Sequence, residues 1–126
     1  MYEVNLTESY FPAQKDIILE DNTIGQLLLE VSKKHDSKEA LVEITQSGIV
    51  GRTWTYEELY SESLQLAKAL ASRFNKGDHI VIWSPNSPEW VLMEFAAGLA
   101  GLVVVTANPA LQEKELRYLS LIHISE

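Results

Sequence analysis

The side chains best suited to ligand chemistry lie in one short loop, Ser84-Pro85-Asn86-Ser87. The loop follows a predicted buried strand and precedes a predicted helix, and open α/β sheets bind ligands at such strand ends, where a helix N-terminus favours anions. Trp83 and Trp90 flank it, and Ala107-Asn108-Pro109-Ala110 follows the next predicted strand in the same way. Because these residue types also form ordinary strand-to-helix turns, the loop has either a binding role or only a structural one.

The histidines show no spacing typical of a metal site. His35, His79 and His123 form no His-x-x-x-His pair, and carboxylates at ligand spacing are missing beside them. The chain also has no cysteine, which excludes a disulfide, a thiolate nucleophile and a cysteine-ligated metal. We therefore predict no metal site.

The carboxylates are explained by helix capping and solvation. Glu57 and Glu58 are adjacent in a predicted helix, so their side chains point about 100° apart, and both lie in its first turn, where the helix dipole favours them. A solvated helix face is predicted for the later charged set Glu113, Lys114, Glu115 and Arg117. The chain contains no G-x-G-x-x-G, G-x-x-x-x-G-K-[ST] or G-x-S-x-G motif. We predict no catalytic and no cofactor-binding residue.

Two capping boxes predict where the first helices begin. Thr23 and Gln26 start a helix that ends near Lys34, and Thr55 and Glu58 start a longer one that ends at Asn75–Asp78. Between them, two β-prone runs flank Ser47-Gly48 and predict a hairpin, whose register the sequence leaves open: Leu41–Thr45 and Arg52–Thr55.

A strand, a helix and a second strand then predict a parallel βαβ unit. His79–Ser84 and Leu102–Thr106 are nearly continuous apolar runs, typical of strands covered on both faces, and Trp90–Ala100 between them is helical and follows Ser87 and Pro88. Gly98 and Gly101 predict close backbone approach. The fold class is α/β, with a partial parallel sheet and helices on both faces; two core strands are fewer than such sheets usually have.

The composition indicates one ordinary domain. The chain has 126 residues and a net charge of −8, which disfavours nucleic-acid binding. Its N-terminus lacks a secretory signal, and the apolar stretch Phe95–Ala107 is too short to span a bilayer, so a cytoplasmic location without a transmembrane segment is expected.

An ordered set of short strings over Thr23–Tyr118 resembles the N-terminal section of adenylate-forming acyl-CoA synthetases, and most closely the medium- to long-chain fatty-acyl branch. The strings are Thr53-Trp54-Thr55-Tyr56-Glu57-Glu58-Leu59, Ala67–Leu70, Lys76-Gly77-Asp78, Pro85–Trp90, Ala100-Gly101, Asn108-Pro109, Glu115-Leu116 and Tyr118. The resemblance implies a parent ligase that uses ATP, Mg²⁺ and coenzyme A on a fatty acid. It also implies that the catalytic motifs lie beyond this chain, which on its own is expected to be inactive and to bind none of these cofactors.

The last eight residues depart from that resemblance. Leu119–Glu126 breaks the helical spacing, alternates like a strand, and resembles a translated transposase adapter sequence from a sequencing library. The alternative is a native β-prone tail. The domain prediction is thus an irregular lead-in over 1–22 lying against the body, a partial synthetase domain over 23–118 and a non-native tail over 119–126. A stand-alone flavodoxin-like binding module without catalysis is the alternative function.

Overall fold

A computed structural model describes residue 7, residue 12 and residues 21–123. The described part contains four helices and four strands in the order α1 Ile24–Lys34, β1 Glu39–Ile44, β2 Val50–Thr55, α2 Tyr56–Ala71, β3 His79–Trp83, α3 Pro88–Ala100, β4 Val103–Ala107 and α4 Glu113–His123. Most of the predicted lead-in, 1–22, lies outside the described residues.

Both predicted capping boxes are present. The Thr23 Oγ1 accepts a hydrogen bond from the Gln26 backbone N–H at 3.2 Å, and the Gln26 side chain accepts one from the Thr23 N–H. The same exchange joins Thr55 and Glu58 at the start of α2. Each box satisfies backbone donors that a helix start would otherwise leave unpaired, so the sequence-based starts of α1 and α2 are confirmed.

The predicted hairpin is also confirmed, and the structure supplies its register. β1 and β2 are antiparallel, with Val42 opposite Thr53 and irregularities on both sides of that pair. Gly48 lies in the connecting turn with φ of 77°, a conformation that glycine adopts without steric cost.

The βαβ unit forms as predicted. β3 and β4 are parallel, from His79 opposite Val103 to Trp83 opposite Ala107. The N-cap of α3 is Ser87, and Gly101 ends the helix in the left-handed conformation. The α/β class with a partial parallel sheet is therefore confirmed.

The core lies where α1, α2 and the hairpin meet. Leu28, Trp54 and Leu59 form its buried cluster, against which side chains of α3 also pack. α2 and α3 pack against each other, and Ala96 and Ala97 in α3 have no exposed surface. Residues with small side chains allow the backbones of packed helices to approach closely.

Three details differ from the sequence-based expectations. β3 is covered on one face only, because Val81 and Trp83 on one face remain 39% and 49% exposed whereas Ile82 on the other face is buried. α2 ends at Ala71 instead of Asn75–Asp78, because the chain turns where the Asp78 carboxylate accepts from the Asn75 N–H at 2.7 Å. Gly98 faces open space, whereas a Cβ at Gly101 would lie 3.0 Å from the Lys76 side chain, and one at Gly25 would lie 2.7 Å from the Leu99 side chain.

The expected break in helical structure after Tyr118 is wrong for the residues that are described. α4 continues to His123, because no proline or glycine interrupts Glu113–His123 and local helical hydrogen bonding tolerates its uneven apolar pattern. Residues 124–126 of the predicted tail lie outside the described range. The adapter origin of 119–126 stays a prediction, which long-read sequencing of the source DNA tests.

Deleting residues 119–126 is expected to change the free energy of unfolding by less than about 0.5 kcal/mol, as for surface changes that remove no packing. At this end of α4, Tyr118 and Leu121 are 64% and 60% exposed. Urea unfolding of the full and shortened chains measures the difference, and a loss above about 1 kcal/mol would show that the tail packs on the body.

Among the described residues, no helix is both long and apolar enough to cross a membrane.

Candidate functional site

The two predicted loops lie side by side at the carboxyl end of the parallel strands. Trp83 and Ala107 are register partners at the ends of β3 and β4, so the loops that follow them leave the sheet side by side. Ser87 Oγ accepts from the Trp90 N–H at 3.3 Å, and Asn108 Oδ1 accepts from the Ala110 N–H at 2.9 Å. These bonds stabilise local turns, so the side-chain oxygens of Ser87 and Asn108 already accept hydrogen bonds from the backbone of their own loops.

An apolar groove of about 410 Å³ lies beside the first loop. Trp83 and Trp90, the two residues predicted to flank the loop, both line this groove. The other lining residues are Leu70, Phe74, Ile80, Val81, Ile82, Ser84, Ser87, Glu89 and Met93. Such a lining suits aromatic and aliphatic groups. Asn86 instead lines a separate cavity of about 470 Å³ between the hairpin and the start of α3.

Arg52 joins the hairpin to the start of α3 through two carboxylates. Its guanidinium donates to both oxygens of Glu43, at 2.9 and 3.1 Å, and to Glu89 at 2.6 Å. The same guanidinium lies 5.2 Å from the centre of the Trp54 ring, within the range of a cation–π interaction. Sequence reasoning missed this cluster, because its members lie far apart in the chain and nothing in the sequence indicated that the hairpin meets α3.

The cluster shifts the pKa of each member. Hydrogen bonds from Arg52 lower the pKa of the Glu43 carboxyl and of the Glu89 carboxyl below their ordinary value of 4.5. The hydrogen bond to Glu43, and to a smaller extent the one to Glu89, raises the pKa of Arg52. All three groups therefore stay charged at neutral pH.

Acidification is expected to destabilise the chain through this cluster. A carboxyl whose pKa is lower in the folded chain stabilises it above the unfolded pKa, and that contribution is lost as the pH falls through the folded value, below 4.5. Because the pairs are exposed, the effect should be small and weaker in high salt. Thermal unfolding of the chain and of Arg52→Gln, followed from neutral pH down to about pH 3, measures it.

The Arg52→Gln chain should lose less stability on acidification than the parent chain. Arg73→Gln is the matched control, since Arg73 is an exposed arginine outside the cluster. If the Arg52 and Arg73 variants respond to pH alike, the cluster does not stabilise the fold.

The remaining candidate residues have structural positions. His35 is the C-cap residue of α1, with its ring 6.5 Å from that of Tyr56, and His79 is the exposed first residue of β3. Glu58 completes the α2 capping box, while Glu57 points to solvent. His123 is the last residue of α4. Among the described residues, no three His, Asp or Glu side chains lie together in a way that could hold a metal ion.

The charged residues near the start of α4 either cap the helix or are exposed to solvent. The Glu115 carboxylate accepts from the Gln112 N–H at 2.9 Å and so caps the helix. Glu113, Lys114 and Arg117 are exposed, as expected for a solvated face.

The described loops do not suit a nucleotide triphosphate. Glu89 already places a carboxylate in the first turn of α3, the end of a helix that favours anions, and Arg52 is engaged by two carboxylates. The Glu89 carboxylate would repel a polyphosphate, and the charge of Arg52 is already compensated by its two carboxylate partners. No residue of the described chain is therefore assigned to ATP or Mg²⁺.

Comparison with known proteins identifies the family. Residues 28–120 match the family described as AMP-binding enzyme. The chain belongs to the AMP-binding enzyme family. The resemblance inferred from the short strings is confirmed at this level, and the matched segment contains the hairpin, α2 and the βαβ unit.

Curated members of the AMP-binding family are similar along most of this chain. The medium-chain acyl-CoA ligase ACSF2 of Danio rerio is 35% identical over 114 residues, which is 90% of this chain and 18% of the relative. The putative acyl-CoA synthetase YngI of Bacillus subtilis is 35% identical over 78% of this chain and 17% of its own length. The chain thus spans less than a fifth of either relative.

Solved structures of the family share the fold. The N-terminal subdomain of NpsA from Klebsiella oxytoca, in complex with anthranilyl-AMSN, has a TM-score of 0.70 at 25% identity, over 78% of this chain and 24% of that one. A Mycobacterium tuberculosis fatty acyl CoA synthetase has a TM-score of 0.69 at 24% identity, over 78% of this chain and 19% of that one. The latter likeness concerns the fold alone.

Proposed function

We propose that this chain is the N-terminal part of an ATP-dependent acyl-CoA synthetase that acts on medium- to long-chain fatty acids. Such an enzyme joins a carboxylate to the AMP of ATP with release of pyrophosphate, and then transfers the acyl group to the thiol of coenzyme A with release of AMP. ATP, Mg²⁺ and coenzyme A would be bound by the parent enzyme. The observation that supports this most is the match over residues 28–120, together with acyl-CoA ligases as relatives.

Within that enzyme the role proposed for this chain is structural. α3 packs against α2 and against β4 of the parallel sheet, and β3 and β4 are followed by loops whose side chains cap their own turns. Among the residues that line the groove, Glu89 is the only one with an ionisable side chain, and it is paired with Arg52. The fatty acid and the nucleotide are therefore expected to bind elsewhere in the parent.

A chimaera tests this proposal. Residues 23–118 replace the corresponding segment of the zebrafish relative, and the same relative with that segment deleted is the control. Fatty acid-dependent formation of acyl-CoA is expected from the chimaera and not from the deletion. A chimaera that is soluble and unfolds cooperatively, yet forms no acyl-CoA with any fatty acid, would contradict the proposal and favour the separate binding module.

The cytoplasmic location stays a prediction. It rests on the N-terminal sequence, whereas the vertebrate ACSF2 relatives are named as mitochondrial. Fluorescence microscopy of the tagged parent enzyme distinguishes the two compartments.

A further inference from the structure

A cavity of about 470 Å³ lies between β1 and the start of α3. One wall consists of β1 and the turn after it, from Leu41 to Gln46, and the other consists of Asn86 to Pro88 together with Val91. The volume lies within the range of small-molecule pockets, roughly 300–1,000 Å³. Two segments that are far apart in the chain thus border a space large enough for a ligand.

The Arg52 cluster joins the two walls of this cavity. Glu43 belongs to the β1 wall, and Glu89 directly follows Pro88 in the other wall. The Arg52 guanidinium donates to the Glu43 carboxylate at 2.9 and 3.1 Å and to the Glu89 carboxylate at 2.6 Å. Because one guanidinium bridges both walls, the cavity is formed before a ligand binds, as is usual for small-molecule sites.

Two amide side chains in the lining are available to a ligand. Gln46 and Asn86 both line the cavity, and neither amide is hydrogen-bonded to another described residue. In contrast, the hydroxyls of Ser84 and Ser87 in the same loop as Asn86 already bond to nearby backbone groups. A primary amide donates through its NH₂ group and accepts through its carbonyl oxygen. Gln46 and Asn86 can therefore pair with a carbonyl or an N–H group of a bound molecule.

The rest of the lining suits an apolar and uncharged molecule. Val42 and Ile44 contribute aliphatic surface and are 41% and 61% exposed. Among the described residues that line the cavity, none is a lysine or an arginine, and the Glu43 carboxylate is paired with Arg52. A ligand carboxylate would find no unpaired cation and would approach a group of like charge. The lining therefore favours an uncharged head group over an anionic one.

We propose that this cavity binds the uncharged acyl end of a medium-chain thioester or amide. The acyl chain packs against Val42, Ile44 and Val91, and the polar head group pairs with the amides of Gln46 and Asn86. The inference rests on the proposed function, because the fatty acid that an acyl-CoA synthetase consumes is a carboxylate, whereas the acyl group of its thioester product has no charge. The site therefore favours the product of the proposed reaction over its substrate.

Titration of the 126-residue chain with S-octanoyl-N-acetylcysteamine tests the proposal. This probe has an acyl chain, a thioester and an amide but no nucleotide. We expect saturable binding, with NMR shifts of backbone amides concentrated at Leu41–Gln46 and Asn86–Val91. Octanoate should bind at least about tenfold more weakly, because its charge would lose water without gaining a cation. Lack of saturable binding, shifts confined to other residues, or equal affinity for octanoate would overturn the proposal.

Two further probes divide the ligand into its parts. S-acetyl-N-acetylcysteamine has the same head group and should bind at least about tenfold more weakly than the octanoyl probe, since each buried CH₂ group adds affinity. Octanamide has the same acyl length with an amide in place of the thioester, and it should bind at the same residues. Equal affinity for the acetyl and octanoyl probes would show that the acyl chain is not bound, and would contradict the proposal.

Gln46→Met and Asn86→Leu remove the two amides while keeping side chains of similar size. Gln65→Met is the matched control, because Gln65 is an exposed glutamine of α2 outside the cavity. Each cavity variant should weaken binding of the octanoyl probe at least about threefold, as expected for the loss of a hydrogen bond, and the control should bind like the parent chain. If all three variants bind like the parent chain, the amides do not recognise the ligand and the proposal is wrong. If a cavity variant does not fold, the probe series on the parent chain decides.

The chimaera that tests the proposed function separates the two hypotheses. Binding of the octanoyl probe by the 126-residue chain, but not by the folded chimaera, would show that the rest of the synthetase fills the cavity, and would overturn the proposed site. An active chimaera, combined with no binding to either protein, would contradict the site and leave the proposed function supported. An inactive, folded chimaera would instead contradict the proposed function.

Discussion

No carboxylate-dependent exchange of labelled pyrophosphate into ATP is expected from the purified 126-residue chain. Transfer of a nucleotidyl group requires cations and hydrogen-bond donors placed around the phosphates, and these supply most of the rate. In the described chain, Arg52 contacts the start of α3, but its guanidinium is paired with Glu43 and Glu89. The chain also contains no G-x-G-x-x-G and no G-x-x-x-x-G-K-[ST] phosphate motif.

The exchange assay is run with Mg²⁺ and fatty acids of several lengths. The intact zebrafish ligase serves as the positive control, and a sample without protein gives the blank. Exchange above the blank that disappears when the fatty acid is left out would show that this chain contains an adenylation site, and would contradict the structural role proposed for it.

Truncating a leucine of the buried cluster is expected to destabilise the chain strongly. Leu28 is 5% exposed and packs in the cluster with Trp54 and Leu59, so Leu28→Ala leaves a cavity where α1 meets the hairpin and α2. Such changes cost about 2–5 kcal/mol, a large part of the roughly 6–19 kcal/mol available to a domain of this length. The midpoint of urea unfolding, followed by circular dichroism, measures the loss.

Leu27→Ala is the matched control for this measurement. Leu27 is the preceding residue of the same helix, has the same side chain and is 49% exposed. Because much of its surface already lies in water, its truncation should cost less than about 1 kcal/mol. Equal losses for the two variants would mean that the cluster around Leu28 is not the core of the chain.

The sequence by itself determined the elements whose signals are local. Thr23 with Gln26 and Thr55 with Glu58 define helix starts because a capping box needs only side chains three residues apart. Ser87 and Pro88 define the start of α3 for the same kind of reason. The strand–helix–strand order in turn fixed the parallel pairing of β3 and β4, since a βαβ crossover places its strands side by side in one direction.

The same local signals gave less information about where elements end. α2 stops at Ala71 and α4 continues to His123, against the predictions from apolar spacing. Apolar periodicity depends on what a helix packs against, and an exposed helix such as α4 has little packing to impose a period. The sequence therefore predicted these ends less well than it predicted the capped starts.

Only the tertiary structure decided which distant residues meet. The contact of Arg52 with Glu89 depends on how the hairpin lies against α3, and no spacing along the chain encodes that distance. The edge of β3 that no described strand covers, and the groove beside β3, likewise depend on which strands pair. A strand with apolar residues on both faces has the same sequence pattern whether its edge is covered or open. Local hydrogen bonding thus explains what the sequence determined, and packing between elements far apart in the chain explains the rest.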